Sequence, residues 1–310
     1  MNTIPVSVII ASFNSEIYLE KCINSINQSK QIPVQIIIVD DCSTDNSLEL
    51  SKKLRNTHPN ICIFEMKKNS GAAEARKYAL KYVTQNYVCY VDSDDILEIN
   101  ALDDAYKKII KENADVCIFD LWRFDNNKEW RHKANPTNFP ITGREAVNMT
   151  FGGWGIHMCS IVKKRIFKQA YENFSLKTFN ADEMIARLIY SHSKKVTNSK
   201  KKYFYRVNQF STTHLANKKQ LEIIYSDLWL IKFSSTYSKL AYLKTIRWSI
   251  KNLYLIWKKR KLINKELTNK EIKKGLKEIY KIKNIWLYFI KSPKHLIASV
   301  LLYIAILLRL

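Results

Sequence analysis

Two groups of carboxylates stand directly after apolar, β-branched runs. Asp92-Ser93-Asp94, with Asp95 behind it, follows Tyr87–Val91. In extended chain, residues i and i+2 point to the same side, so Asp92 and Asp94 can face one pocket. Paired hard oxygen ligands suit Mg²⁺ or Mn²⁺, and such an ion can in turn hold a diphosphate. A solvated acidic turn capping the next helix explains the same letters about as well. Asp40-Asp41 follows Ile36–Val39. A carboxylate there can accept a nucleobase N–H or ribose hydroxyls, although a loop capped by Ser43, Thr44 and Asp45 is the simpler account of that pair alone. Arg76, beyond Asn69-Ser70-Gly71, could bring positive charge to a phosphate or be an ordinary exposed helix arginine. Asp182 and Glu183 could supply a general base or merely complement a helix dipole. His157 and His214 are each a candidate third metal ligand or phosphate partner, against the commoner structural role of a lone histidine. Neither GxGxxG nor GxxxxGK[ST] occurs. A nucleotide bound here would therefore be held by metal and side chains, not by a glycine cradle.

The elements that must position these groups follow from periodicity. Val6–Ser12, Ile36–Val39, Ile61–Phe64, Tyr87–Val91 and the stretch near Val116–Leu121 read as buried strands. Between them lie helices. Leu19, Cys22, Ile23 and Ile26 share one face, with Asn14 and Ser15 as candidate caps. A second helix runs to about Arg55, Ala72, Ala75, Ala79 and Val83 form a third face, and Leu102–Lys111 is the fourth. Strand and helix alternate over the first ~120 residues, which predicts an α/β fold with a mostly parallel, doubly wound sheet. Ligands of such sheets sit beyond the carboxyl ends of the strands, where both acidic clusters fall. From Arg123 to Pro140 the chain is polar and irregular. Thr142 with Glu145 forms a capping box, and Phe151–Gly155, with Trp154, is either an acceptor-binding loop or a packed turn. Ser160–Phe167 reads as strand then helix, Asn180–His192 as a helix and Lys202–Arg206 as a strand. Beyond Asn217 the chain is Lys-rich and helical, with a second capping box expected at Thr268 and Glu271. The expected organisation is 1–122, a nucleotide-binding half, 123–216, an acceptor-binding half, and 217–310, a basic helical region.

Composition narrows the classes. The chain has 310 residues, 46% apolar and 25% charged, enough for a sizeable core and incompatible with wholesale disorder. Six cysteines without a CxxC pair suit reduced thiols, not a disulfide framework. The net charge of +23 is unevenly spread: residues 1–100 carry −2, 101–200 carry +6 and 201–310 carry +19. The last third therefore wants a polyanion. No nucleic-acid motif supports RNA or DNA, so no nucleic acid is expected. Lys-rich helices with Trp248, Trp257, Trp286 and Tyr288, followed by the short apolar stretch Ile297–Leu308, suit interfacial contact with an anionic membrane surface better. A solvated helical bundle is the plain alternative. The start of the sequence, with no basic n-region before its first strand-like run, predicts no secretory signal, and the lack of an apolar run of ~18 residues predicts no ordinary spanning helix.

The ordered set VSVIIASFN, IIIVDDCSTDNS, NSGAAEAR and YVCYVDSDD resembles the family 2 glycosyltransferases of GT-A fold over about the first 120 residues. NADE at 180–183 and YFYRVNQFSTT at 203–213 are similar to later parts of bacterial members that build surface polysaccharides or lipooligosaccharides. The resemblance implies roles. Phe13 would stack on uracil and Ala11 line the same pocket. Asp41, with Asp40 beside it, would accept the uracil N3–H. Arg76 would lie near the nucleotide. Asp92, Ser93 and Asp94 would form the DxD motif, Asp94 ligating Mn²⁺ or Mg²⁺ and Asp92 lying near ribose and sugar. Asp182 matches the catalytic base of inverting members. The family usually has ED or EDE there, and Ala181 replaces the first Glu, so Glu183 is the alternative base.

The implied reaction moves a hexose or N-acetylhexosamine from a UDP-sugar to a glycan or lipid-linked acceptor, with inversion, on the cytoplasmic face of a bacterial plasma membrane. Its physical needs are simple. Positive charge must offset the leaving diphosphate, and a carboxylate must take the acceptor's proton as it attacks the anomeric carbon. Two other readings are a sugar-nucleotide nucleotidyltransferase, which would normally carry a Gly-rich basic segment near its N-terminus, and a membrane-surface adaptor on a degenerate transferase fold.

Overall fold

Four apolar runs, Val6–Ser12 (β1), Val34–Asp40 (β2), Ile61–Glu65 (β3) and Tyr87–Tyr90 (β4), lie side by side in the order β3-β2-β1-β4, every neighbour parallel. Val8, Ile9, Ile10, Ile36, Ile37 and Ile38 are all fully buried. The near-continuous apolar spelling of β1 and β2 thus reflects a sheet covered on both faces. The covering helices are α1 (Leu19–Ile26), α2 (Ser47–Thr57) and α3 (Ala72–Ala79). In this computed structural model the described residues are 5–125, 128–132, 138–153, 155–174, 178, 180–207 and 217–281, with 293, 297 and 300 beyond them.

The sheet continues past β4 through β9 (Ser160–Lys163), β6 (Val116–Phe124), β10 (Lys195–Arg206) and β5 (Ile96–Leu97). β9 is antiparallel to both β4 and β6, β10 is parallel to β6, and β5 is antiparallel to β10. Short strands β7 (Glu129–Arg131) and β8 (Ile141–Thr142) pair with β6 and β10. Helices α4 (Ala101–Lys111), α5 (Gly143–Met149), α6 (Lys164–Glu172) and α7 (Ala181–His192) complete this part. The expected mostly parallel α/β sheet is therefore present, with β6 and β10 longer than the sequence suggested.

Helix starts show which local signals decide. The Thr142–Glu145 capping box forms as read: Glu145 accepts the Thr142 N–H at 2.7 Å, and Thr142 Oγ1 accepts the Glu145 N–H at 3.2 Å. α1 instead begins at Leu19, several residues after Asn14. The chain first turns, with Asn14 at φ 49° and the Ser15 carbonyl accepting from Tyr18 and Leu19. Gly143 is a position of close approach. A Cβ there would lie 2.1 Å from the Ser193 carbonyl and 2.2 Å from that of Tyr190, at the end of α7. Backbone cannot yield as a side chain does. Gly143→Ala is therefore expected to lower stability by about 2 kcal/mol or more, a shift of several degrees in thermal unfolding; an unchanged midpoint would refute the contact.

The chain divides into two units, the first Met1–Met149, Gly155–Ser175 and Ile185–Asn208, the second Thr150–Trp154, Leu176–Met184 and Gln209–Leu310. The second contains a 3-10 turn (Lys218–Glu222) and helices α8 (Ile223–Ser235), α9 (Lys239–Lys258), α10 (Arg260–Ile263) and α11 (Lys265–Tyr280). Their core joins Ile224, Ile231, Ile246, Ile250, Leu253, Ile272, Leu276 and Ile279. The capping box expected at Thr268 does not form. α11 is capped four residues earlier, where Asn264 Oδ1 accepts the Leu267 N–H at 2.8 Å. Thr268 is buried inside the helix, and Glu271 accepts from the Tyr225 hydroxyl instead. Among the described residues no helix is long and apolar enough to cross a membrane. Apart from Ile297 and Val300, the stretch 297–308 lies outside those residues, as do Trp286 and Tyr288.

Candidate functional site

Because β1, β2 and β4 are parallel neighbours, their carboxyl ends bring Ala11–Asn14, Asp40–Ser43 and Asp92–Asp95 to one edge of the first unit. The first two segments are stitched together. Asn14 Oδ1 accepts the Thr44 N–H at 2.8 Å, Ser43 Oγ accepts the Asn14 N–H at 3.1 Å, and Ser47 Oγ accepts the Ser15 N–H at 2.7 Å. Asp40 closes its own turn, accepting the Ser43 N–H and hydroxyl at 2.9 and 2.6 Å. Between these fixed loops Phe13 projects, 45% exposed, an aromatic face left open on a braced frame. Ala11 is half-buried just before it.

Asp41 is almost fully buried, and its two oxygens accept the N–H groups of Ser70 and Gly71 at 2.8 and 2.7 Å. It thereby fixes the loop that enters α3, where Gly71 sits at φ 88°. That fixed entry places Arg76, one turn further on. Arg76 is not an exposed helix arginine. It is buried, its guanidinium lies 4.1 Å from the Tyr90 ring centroid, and it forms an ion pair with Asp92.

The DSDD segment is a tight turn, with the Asp95 N–H donating to the Asp92 carbonyl at 3.0 Å. Ser93 is buried, its hydroxyl 2.6 Å from that of Ser15. Asp95 points inward and is held from β10: the Tyr203 hydroxyl donates to one oxygen at 2.7 Å and the Arg206 N–H to the other at 2.8 Å. Arg206 Nε donates to the Asp94 carbonyl at 2.8 Å, while its guanidinium sits 4.7 Å from the Tyr18 centroid and 4.4 Å from that of Phe124. Tyr203, Arg206 and Asp95 are positioning residues that sequence reading alone did not find. They meet across more than a hundred residues of chain, and no local signal marks that pairing.

Hydrogen bonding singles out Asp94. Asp92 is paired with Arg76. Burial, then the charges of Asp92 and Asp94, push the Asp95 pKa well up, but Tyr203 and Arg206 occupy both its oxygens. No hydrogen bond from another described residue reaches the Asp94 carboxylate. Burial, then the neighbouring charge of Asp92, push its pKa up to about 6. A carboxylate so placed gains most from a cation. Among the described residues no three metal-ligating side chains converge. An ion at Asp94 would therefore take its other ligands from phosphate oxygens and water, as Mg²⁺ commonly does. On that basis the donor set fits a divalent ion bound together with a diphosphate.

The remaining candidates belong to other segments. Asp182 is exposed and Glu183 half-buried in the first turn of α7, in residues of the second unit. His214 and Trp154 lie outside the described residues. Phe151 is a packed residue, its ring 6.3 Å from Phe233 and 5.8 Å from Tyr237, while Gly152 and Gly153 take φ of 78° and 137°.

His157 is structural. It is buried, Nδ1 accepts the Cys159 N–H at 3.2 Å, and a further hydrogen bond joins it to the Phe119 backbone. Burial, then the nearby His132, depress its pKa to about 3. The unfolded chain protonates near pH 6.5. The unfolded state thus binds more protons between those values, and stability falls with acid by up to about 1.4 kcal/mol per pH unit. His157→Asn, which keeps an acceptor for Cys159, is expected to flatten the fall between pH 6.5 and 4 in denaturant titrations. An unaltered slope would contradict this.

The model of the family described as Glycosyl transferase family 2 matches residues 7–172, more than half of the chain. Glycosyltransferase GlyA of Streptococcus pneumoniae is 27% identical over 71% of this chain and 33% of its own length. GlyG of the same organism is 25% identical over 65% of this chain and 70% of its own length. The cholesterol galactosyltransferase of Borreliella burgdorferi is 35% identical over 46% of this chain and 40% of its own. The chain thus spans a third of the length of GlyA and less than half of that galactosyltransferase. The crystal structure of Staphylococcus aureus TarS 1-349 in complex with UDP superimposes with a TM-score of 0.65 at 18% identity, over 97% of this chain and 90% of that one. At that identity it speaks to the fold.

Proposed function

The chain belongs to glycosyl transferase family 2, and from that premise we propose that it transfers a hexose or N-acetylhexosamine from a UDP-sugar to a glycan or lipid-linked acceptor. The setting is bacterial surface polysaccharide or lipooligosaccharide synthesis, with the enzyme peripheral on the cytoplasmic face of the plasma membrane and in contact with its anionic surface. The observation that carries the reading is the DSDD turn, where Arg76 pairs with Asp92 while, among the described residues, the Asp94 carboxylate forms no ion pair and accepts no hydrogen bond from another residue. Two of the TarS structures similar in fold are described as complexes with UDP and with UDP-GlcNAc, which supports a uridine diphosphate donor here.

In this account Phe13 stacks on the uracil and Ala11 borders it. Asp41 contributes a remaining lone pair to the base N–H while its bonds to Ser70 and Gly71 keep it in place. Asp40 keeps the adjoining turn closed. Asp92 faces the ribose and sugar, oriented by Arg76, and the Ser93–Ser15 contact fixes the turn. Asp94 holds Mn²⁺ or Mg²⁺, which when bound offsets the charge developing on the diphosphate; His214 is a candidate second ligand. Asp182 takes the proton from the acceptor hydroxyl as it attacks the anomeric carbon, with Glu183 the alternative. One base and one displacement invert the anomeric centre.

Calorimetry tests the donor class. UDP is expected to bind in Mn²⁺ at least about tenfold more tightly than ADP or GDP, and EDTA is expected to remove most of that affinity. Equal affinities for the three nucleotides would sink the uridine assignment.

A further inference from the structure

Among the described residues, the exposed face of α9 combines cations with large apolar side chains. Leu240, Lys244, Arg247, Lys251, Tyr254 and Lys258 follow one another at spacings of four, three, four, three and four, so they form a single stripe. The opposite stripe, Ala241, Thr245, Ile246, Ile250, Leu253 and Ile256, is buried in the second unit's core. From Lys239 to Lys265 the chain carries nine Lys and Arg and no Asp or Glu. Large apolar side chains interrupt the cations on the same surface. Leu240 is 62% exposed, Leu255 44%, and Leu262, just beyond in α10, 76%. The helix is 20 residues long, roughly 30 Å.

The charge favours a polyanionic partner, and the apolar residues select among such partners. Single-stranded nucleic acid is gripped by aromatic faces open for base stacking. Here those faces already carry cations: Lys251 lies 5.3 Å from the Trp248 centroid, Lys258 5.1 Å from Tyr254, and the Arg260 guanidinium 3.8 Å from Trp257. Tyr254 is as exposed as Leu255, but its ring is shared with Lys258 and stacks on Trp257; the most open side chains, Leu240 and Leu262, are aliphatic, and leucines gain nothing from a sugar-phosphate backbone. An anionic bilayer takes both parts, its phosphates meeting the Lys and Arg while leucines enter the acyl boundary. We propose that the outer stripe of α9, continued by Leu262 of α10, is the surface by which this enzyme docks on anionic lipid. The proposal gives an address to the membrane contact in the functional reading above and rests on that reading.

The test is co-sedimentation of the full chain with phosphatidylcholine vesicles, with and without phosphatidylglycerol. Each cation at an anionic surface is worth roughly fivefold in partitioning. Reversing three of them, Lys244→Glu, Arg247→Glu and Lys251→Glu together, is expected to weaken binding to the anionic vesicles about 100-fold or more. Leu255→Ser, which leaves charge alone, is expected to weaken it several-fold. Lys270→Glu, Lys274→Glu and Lys277→Glu together, an equal reversal on α11, should cost far less. Circular dichroism and UDP affinity should be unchanged in all three. Equal losses from the α9 and α11 reversals would overturn the proposal in favour of diffuse attraction. So would no binding to the anionic vesicles, or tighter binding to single-stranded RNA that the α9 reversal abolishes. Should binding survive the α9 reversal but vanish on removal of residues 284–310, the membrane reading stands and the α9 face does not. Should the vesicle results come out as expected while UDP does not bind, the docking face stands and the donor reading fails.

Discussion

Asp94→Ala is expected to abolish the metal-dependent part of UDP-sugar binding and to lower transfer on the order of 10³-fold, the scale of removing the charge stabilisation of a leaving group. The fold is expected to survive, because no hydrogen bond from another described residue reaches that carboxylate and the turn is held by Asp95, Tyr203 and Arg206. Without metal, the variant is expected to be at least as stable as the parent. Alanine removes a carboxylate disfavoured by its own burial and by Asp92. Calorimetry with UDP in Mn²⁺ and in EDTA, beside thermal unfolding, separates the two effects. An unchanged Mn²⁺-dependent affinity would refute the assignment of Asp94. A collapse of the fold would show instead that the side chain is structural.

Asp182→Asn is the second large effect. Asparagine keeps the shape and the exposed position in the first turn of α7 but cannot accept a proton. Transfer is expected to fall by about 10² or more, with donor affinity nearly unchanged, since the base acts on the acceptor. Initial rates at saturating donor, set against UDP affinity, make the comparison. If Glu183→Gln produces the loss and Asp182→Asn does not, the base is Glu183. If neither does, the proton is taken by another group.

How much was legible beforehand depended on distance along the chain. The carboxyl ends of β1, β2 and β4 could be read because β-branched apolar runs end abruptly in polar residues, which is how buried parallel strands are spelled. Asp41 and the DSDD turn therefore fell at the right places. The Thr142–Glu145 capping box was equally local. The burial of Arg76 was hidden, because a helix arginine is spelled the same way whether it faces water or a carboxylate from a neighbouring strand. The Asp95–Tyr203–Arg206 network was invisible for a different reason. Asp95 looked like one more acid in a turn, and its partners lie 108 and 111 residues away. The insertion of antiparallel β9 between β4 and β6 depends on pairing that no short window contains. At Thr268 two caps of similar spelling competed. Asn264 won because the earlier start brings Leu267 onto the second unit's core and leaves Thr268 buried inside the helix.

The central claim is inverting sugar transfer from a uridine diphosphate donor. Proton NMR of the reaction of the full chain with a panel of UDP-sugars in Mn²⁺, followed as UDP is released, reads it most directly. The expected result is UDP release from one member of the panel, with the initial product carrying the anomeric configuration opposite to that of the donor. Release with retained configuration would contradict the single-displacement chemistry assigned to Asp182, and no release from any UDP-sugar, with or without glycan acceptors, would contradict the reaction itself.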